Sequence, residues 1–193
     1  MPTYKLAKGR SQKDTMMKTL YYLLFFAICL SANACDTPET DTNSSEVQSI
    51  TNIFVVRHAD RPDGIDTLNQ SGIFRARQLA DVLRSFELDA VFSSPYHRTL
   101  TTAMPTAQQQ DLEIKKYDPR QLDSLAQIVQ NDWLGKNILI VGHSNTVPQT
   151  VQAFGLEPDV ELIPHDQYDR LYLLQLINKD QKQLIPLHFG AKN

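Results

Sequence analysis

Ile138-Leu139-Ile140-Val141-Gly142-His143-Ser144-Asn145 decides the fold. Four consecutive apolar residues end abruptly in a glycine, a histidine and two small polar residues. A short run that is apolar at every position suits a strand buried on both faces, as in a parallel sheet covered by helices. Ile53-Phe54-Val55-Val56-Arg57-His58 repeats the pattern earlier in the chain and again ends on a histidine. Ala90-Val91-Phe92 is a third strand, ending in Ser93-Ser94, and Ile114 to Tyr117 is a weaker fourth.

Helical patterns separate these strands. One helix starts near Asn69, a good N-cap, and carries Ile73, Ala76, Leu79, Ala80 and Leu83 at helical spacing. Ser94 is expected to cap a second, with Pro95 in its first turn, where the missing N–H costs nothing. Gln121 to Leu134 reads as a third, and a fourth begins near Thr146. Leu171 to Ile177 and Leu184 to Leu187 read as a closing hairpin that turns through Asn178 to Gln183. Strands alternating with helices predict an α/β fold: a three-layer α/β/α sandwich around a mostly parallel sheet with a C-terminal hairpin. Ligands of such sheets sit at the C-terminal ends of the strands. The chemistry should therefore lie in Arg57-His58, Ser93-Ser94 and Gly142-His143-Ser144-Asn145.

The 193 residues, 41% hydrophobic and 21% charged, are enough for one core but not for two comfortable domains. The net charge of −3 is unevenly spread. Residues 1–34 hold five Lys/Arg and one acid, leaving 14 basic and 21 acidic residues, near −7, in the remainder. So acidic a body does not favour nucleic acid through general electrostatics, and any anion it binds must be held by a few local arginines.

Residues 1–34 read as a signal peptide. Lys18 precedes Leu20 to Leu30, an uncharged apolar run of 11 residues, too short to span a bilayer. Two readings of the cleavage region stay open. Ala32-Asn33-Ala34 fits ordinary cleavage and release, whereas Cys35 directly after it fits a bacterial lipobox, with Cys35 lipidated and Ala32 where that motif usually has Leu. Residues 35–51 are a polar tether with too little apolar surface to fold alone, and 52–193 form the folded domain. The expected location is the exported cell envelope of a bacterium, with membrane contact through the lipid anchor only. Cys29 lies within the signal, so the mature domain has neither disulfide nor catalytic thiol.

Arg57-His58-Ala59, Ser94-Pro95-Tyr96-His97-Arg98-Thr99 with Thr102-Ala103, Gly142-His143-Ser144-Asn145, and Leu68-Asn69-x-x-Gly72 occur as four ordered blocks. Together they resemble the motifs of the histidine phosphatase (phosphoglycerate mutase-like) superfamily, with Ala59 where Gly is usual. The compact bacterial phosphohistidine phosphatase branch is similar in length. The resemblance implies that His58 attacks phosphorus and becomes a phosphohistidine. It implies that Arg57 and Arg98 hold phosphoryl oxygens and that His143 stabilises the developing charge. Arg61 falls where several members have a further phosphate-binding arginine; its plain reading is a solvated loop charge. Ser94 and Asn145 read equally as helix caps.

The family's usual acid has no recognisable motif here. Asp118, just after the fourth strand pattern, is the first candidate by position, and Asp60, two residues from His58, is the second. His165-Asp166 imitates a His-Asp motif of the phytase-like branch, but His143 already fills that place, so it reads as loop. No histidines share metal-ligand spacing, and neither metal nor cofactor is expected. The expected partner is a small phosphorylated substrate or a phosphoprotein. The expected function is a phosphatase acting on a phosphomonoester or phosphoamide. Phosphoglycerate mutase-like transfer and a non-catalytic phosphate-binding module are the alternatives.

Overall fold

The computed structural model describes residues 49–178 and 180–190. The export signal, Cys35 and nearly all of the tether lie outside the described residues. The elements run β1 (Thr51–Arg57), α1 (Gln70–Leu83), β2 (Ala90–Ser93), α2 (His97–Gln109), β3 (Ile114–Lys116), α3 (Leu122–Asp132), β4 (Asn137–Gly142), α4 (Thr146–Ala153), β5 (Arg170–Leu176) and β6 (Lys182–His188). Among the described residues no helix is long and apolar enough to cross a membrane.

The strands form one sheet in the order β3-β2-β4-β1-β5-β6. β3, β2, β4 and β1 are parallel neighbours. β5 runs antiparallel to β1, and β6 antiparallel to β5. The α/β class expected from sequence holds, but the sheet is mixed rather than mostly parallel. The closing hairpin is no appendage: β5 pairs along the outer edge of β1 and so removes an exposed edge next to the first histidine.

Alternation along the strands makes the layers. Ile53, Val55, Ile138 and Ile140 pack with Leu125, Ala126, Val129, Val147 and Val151 of α3 and α4. Phe54, Val56, Leu139 and Val141 face the other way, onto Leu79, Leu83, Ala103 and Ala107 of α1 and α2. These central strand residues are almost wholly buried, each contributing about 1.5–3 kcal/mol from burial. The β1–β4 register pairs Ile53 with Ile138 and Arg57 with Gly142. His58 and His143, the next residue on each strand, therefore emerge side by side.

Two local expectations shift. Asn69 does cap α1, accepting from Gly72 N at 2.8 Å, but Ile73 is exposed while Gly72 and Arg75 turn inward. The cause is Asp60, whose carboxylate pairs with Arg75 Nε at 2.6 Å in a buried contact. Helix and loop approach so closely that a Cβ on Gly72 would lie 2.1 Å from Asp60 O. Ser94, by contrast, does not cap α2. That helix starts at His97, and its N-terminal N–H groups on His97 and Arg98 donate to the Asp66 carboxylate instead.

Candidate active site

His58 leaves the end of β1 nearly buried, its backbone N donating to Gly142 O of β4 at 2.9 Å. Its Nδ1 lies 2.9 Å from Ala59 O. A carbonyl can only accept, so Nδ1 carries the proton and Nε2 keeps its lone pair. The Ala59 peptide is itself fixed, because its N–H donates to Thr102 Oγ1 of α2 at 2.9 Å. Burial, followed by the positive charges of Arg57 and Arg98 and the His143 ring, pushes His58 down to about 3. At neutral pH it is an uncharged base with an oriented lone pair.

His143 stands beside it, the ring centroids 5.8 Å apart. Arg98 Nη2, which can only donate, reaches His143 Nδ1 at 3.1 Å. The His143 proton is therefore on Nε2, which donates to Ser94 Oγ at 2.9 Å. Ser94 Oγ in turn donates to Thr99 Oγ1, and Thr99 donates to backbone carbonyls of Ser94 and Tyr96. This relay fixes the tautomer from α2. Burial, then Arg98, lowers His143 to about 4, against a smaller opposing effect of Asp66. The Tyr96 ring stands edge-on to His143 at 5.0 Å.

Three arginines surround the pair. Arg57 is buried, and its Nη1 donates to the carbonyls of Pro164, His165 and Gln167. Its guanidinium lies 4.1 Å over the Tyr168 ring, and burial lowers its pKa. One edge of Arg57 thus anchors the 164–168 loop. Arg61 donates from Nη1 to Pro62 O and Ile65 O. It lies near enough to Arg57 and His143 to oppose their protonation. Arg98 is held by Asp66 and stacks 4.5 Å over Tyr96. The Nε atoms of Arg57, Arg61 and Arg98 are all buried without a hydrogen-bond partner. Buried donors normally find acceptors. Three charged orphans beside two neutral imidazoles suit an anion with several acceptor oxygens.

The structure thus brings together His58, His143, Arg57, Arg61 and Arg98. The two acid candidates are each paired with an arginine outside that set. Asp118 binds its neighbour Arg120 through both oxygens, and that guanidinium holds its carboxyl below the usual carboxylate range. Asp60 is engaged in a buried pair with Arg75, and its charge also acts on Arg57. His165 is exposed in the loop, against Asp63 at 3.2 Å. His188 pairs with Asp169 on the hairpin. Sequence reasoning missed Tyr96, Tyr168 and Asp66. Tyr96 lay inside a quoted motif, but nothing local marks the other two. Among the described residues no three His, Cys, Asp or Glu side chains gather to hold a metal.

Residues 52–120 match the model of the histidine phosphatase superfamily (branch 1). No curated protein matches the chain. Solved structures share the fold. The candidate phosphohistidine phosphatase SixA from Agrobacterium tumefaciens is 23% identical, with a TM-score of 0.52 over 72% of this chain and 97% of its own. A phosphoserine phosphatase from Entamoeba histolytica is 16% identical, with a TM-score of 0.51 over 74% and 98%. Mycobacterial hydrolase 1 is 13% identical, with a TM-score of 0.56 over 75% and 100%. The family-model match spans three of the four sequence blocks, those at 57–59, 68–72 and 94–103, while the block at 142–145 lies beyond it.

Proposed function

We propose that this chain, whose residues 52–120 match the histidine phosphatase superfamily (branch 1), hydrolyses phosphorylated substrates through a covalent phosphohistidine on His58. The observation that carries this reading is the His58 Nδ1–H bond to Ala59 O beside three arginines with orphaned Nε donors. Nε2 attacks phosphorus in line, and the bond to the leaving oxygen or nitrogen breaks with its electron pair. A water oxygen then attacks the same phosphorus, Nε2 departs with its pair, and inorganic phosphate and a proton leave. Arg57, Arg61 and Arg98 hold the non-bridging oxygens and compensate the charge that spreads over them in the transition state. Burial, helped by the positive charges of Arg57 and Arg98, also keeps His58 unprotonated and ready to attack.

The leaving group follows from the acids. A positioned proton donor contributes about 10²–10⁴-fold when the leaving group is poor. A donor's pKa lies near working pH, whereas Asp118 is held low by Arg120 and Asp60 faces Arg75. This supports substrates whose leaving group departs readily, phosphoamides and aryl-type esters ahead of alkyl phosphates. Phosphate release from p-nitrophenyl phosphate by the full chain, lost in His58→Ala, tests the reading; wild-type turnover by His58→Ala contradicts it.

Export and anchoring belong to the same proposal. The apolar run from Leu20 to Leu30, the small residues that lead from it to Cys35 and the polar tether behind support a lipid anchor in a bacterial envelope. Mass spectrometry of the membrane fraction should find a diacylglyceryl group on Cys35, and Cys35→Ser should release the protein. An unmodified mature chain starting at Cys35 contradicts the anchor.

A further inference from the structure

We propose that Asp66 is the positioning residue of the anion cradle, holding Arg98 against His143 and fixing the loop that carries Arg61. This deepens the phosphatase reading and rests on it. One carboxylate joins two distant segments. Its Oδ1 accepts from Arg98 Nη1 at 2.7 Å and from Arg98 N at 3.2 Å, while Oδ2 accepts from His97 N at 3.0 Å. With Nη1 engaged on Asp66, Arg98 directs Nη2 to His143 Nδ1, and its Nε is left buried without a partner.

The other side of the contact is the loop after β1. Arg61 Nη1 donates to Pro62 O and Ile65 O, so this loop wraps its own arginine and ends, one residue later, in Asp66. Asp66 therefore ties the Arg61 loop to the start of α2. The Asp66 side chain is 46% exposed. An ion pair so placed contributes little by charge alone. Its value lies in direction: two backbone N–H groups at the positive end of α2 fix the carboxylate, and the carboxylate then fixes the guanidinium. A plain helix cap would account for the backbone contacts but not for the Nη1 contact that aims Arg98.

The variant that separates the two roles is Asp66→Asn. It keeps the shape and one acceptor oxygen for α2, but removes the charge that pairs with Arg98. Inorganic phosphate affinity by calorimetry, KM and kcat for p-nitrophenyl phosphate, and a thermal melt are measured on the full chain. The expected result is a melt close to wild type, phosphate affinity and KM weakened about tenfold or more, and kcat less affected. On an Arg98→Ala background, Asp66→Asn should cause no further loss, because the two act as one unit. Unchanged phosphate affinity in Asp66→Asn, or a full second loss on the Arg98→Ala background, would overturn the proposal. If Asp66→Asn fails to fold, Asp66→Glu serves: restored carboxylate with near wild-type phosphate affinity supports the role. A tenfold loss in a well-folded Asp66→Glu that still pairs with Arg98 overturns it. Phosphate binding needs no turnover, so an inactive wild type would sink the phosphatase reading while leaving this test readable.

Discussion

The neutral state of His58 can be tested apart from turnover. An ordinary histidine with a pKa of about 6.5 is only about 3% neutral at pH 5, a roughly 30-fold loss of free base. His58, pushed to about 3 by burial and by the arginines around it, stays almost entirely neutral there. The perturbation is a pH titration from 8 to 4, and the assay is ¹⁵N-detected NMR of the two ring nitrogens. The expected spectrum shows a protonated Nδ1 and a pyridine-like Nε2 on His58 down to about pH 4. The stability consequence has a definite sign. The folded-state pKa values of His58 and His143 lie below the unfolded value, so the unfolded chain binds more protons between them. Stability is complete above about pH 6.5 and falls as pH drops toward 4, by up to about 1.4 kcal/mol per pH unit for each ring. His58→Gln should flatten the share of that slope due to His58. A His58 resonance that titrates near 6.5, or that carries its proton on Nε2, would refute the reasoning.

Three further outcomes rest on the packing. Gly72→Ala places a methyl 2.1 Å from Asp60 O, a backbone atom two residues from His58; it should cost about 1–3 kcal/mol, lower the melting temperature and reduce kcat/KM. Asp118→Asn should change p-nitrophenyl phosphate and alkyl phosphate turnover less than about twofold, as Asp118 is tied through both oxygens to Arg120; a selective loss on alkyl phosphates of the 10²–10⁴-fold expected for a proton donor would reinstate it as the acid. Asp60→Asn should act on stability first, by about 3–5 kcal/mol for breaking a buried ion pair, and a stable variant that is slow only on alkyl phosphates would contradict that assignment.

Much of the fold was legible because its signals are local. The runs at Ile53–Val56 and Ile138–Val141 have no polar face, so they had to be strands covered on both sides. Asn69 marked its helix by chemistry that needs no distant partner. The histidines were legible for the same reason, each standing where an apolar run stops. What the sequence could not show is adjacency. That Arg57 lies opposite Gly142, bringing the two rings within 5.8 Å, depends on β1 and β4 being neighbours. Ile73 looked like core because helical spacing cannot foresee that the Asp60–Arg75 pair turns that face of α1 inward. Ser94 looked like a cap because Ser is a good N-cap and Pro suits a helix's first turn, yet its hydroxyl accepts from His143, 49 residues away. Tyr168 and Asp66 carry no local mark, since their meaning comes from Arg57 and Arg98 across the fold.

The central claim is covalent, and rapid-quench trapping tests it most directly. The full chain is mixed with ³²P-labelled p-nitrophenyl phosphate, quenched in base within milliseconds, and digested for peptide mapping. The account predicts an acid-labile, base-stable phosphoryl group on the peptide that contains His58, absent in His58→Ala and reduced in Arg98→Ala. Turnover with label on no histidine, or with label on His143 instead, would contradict it.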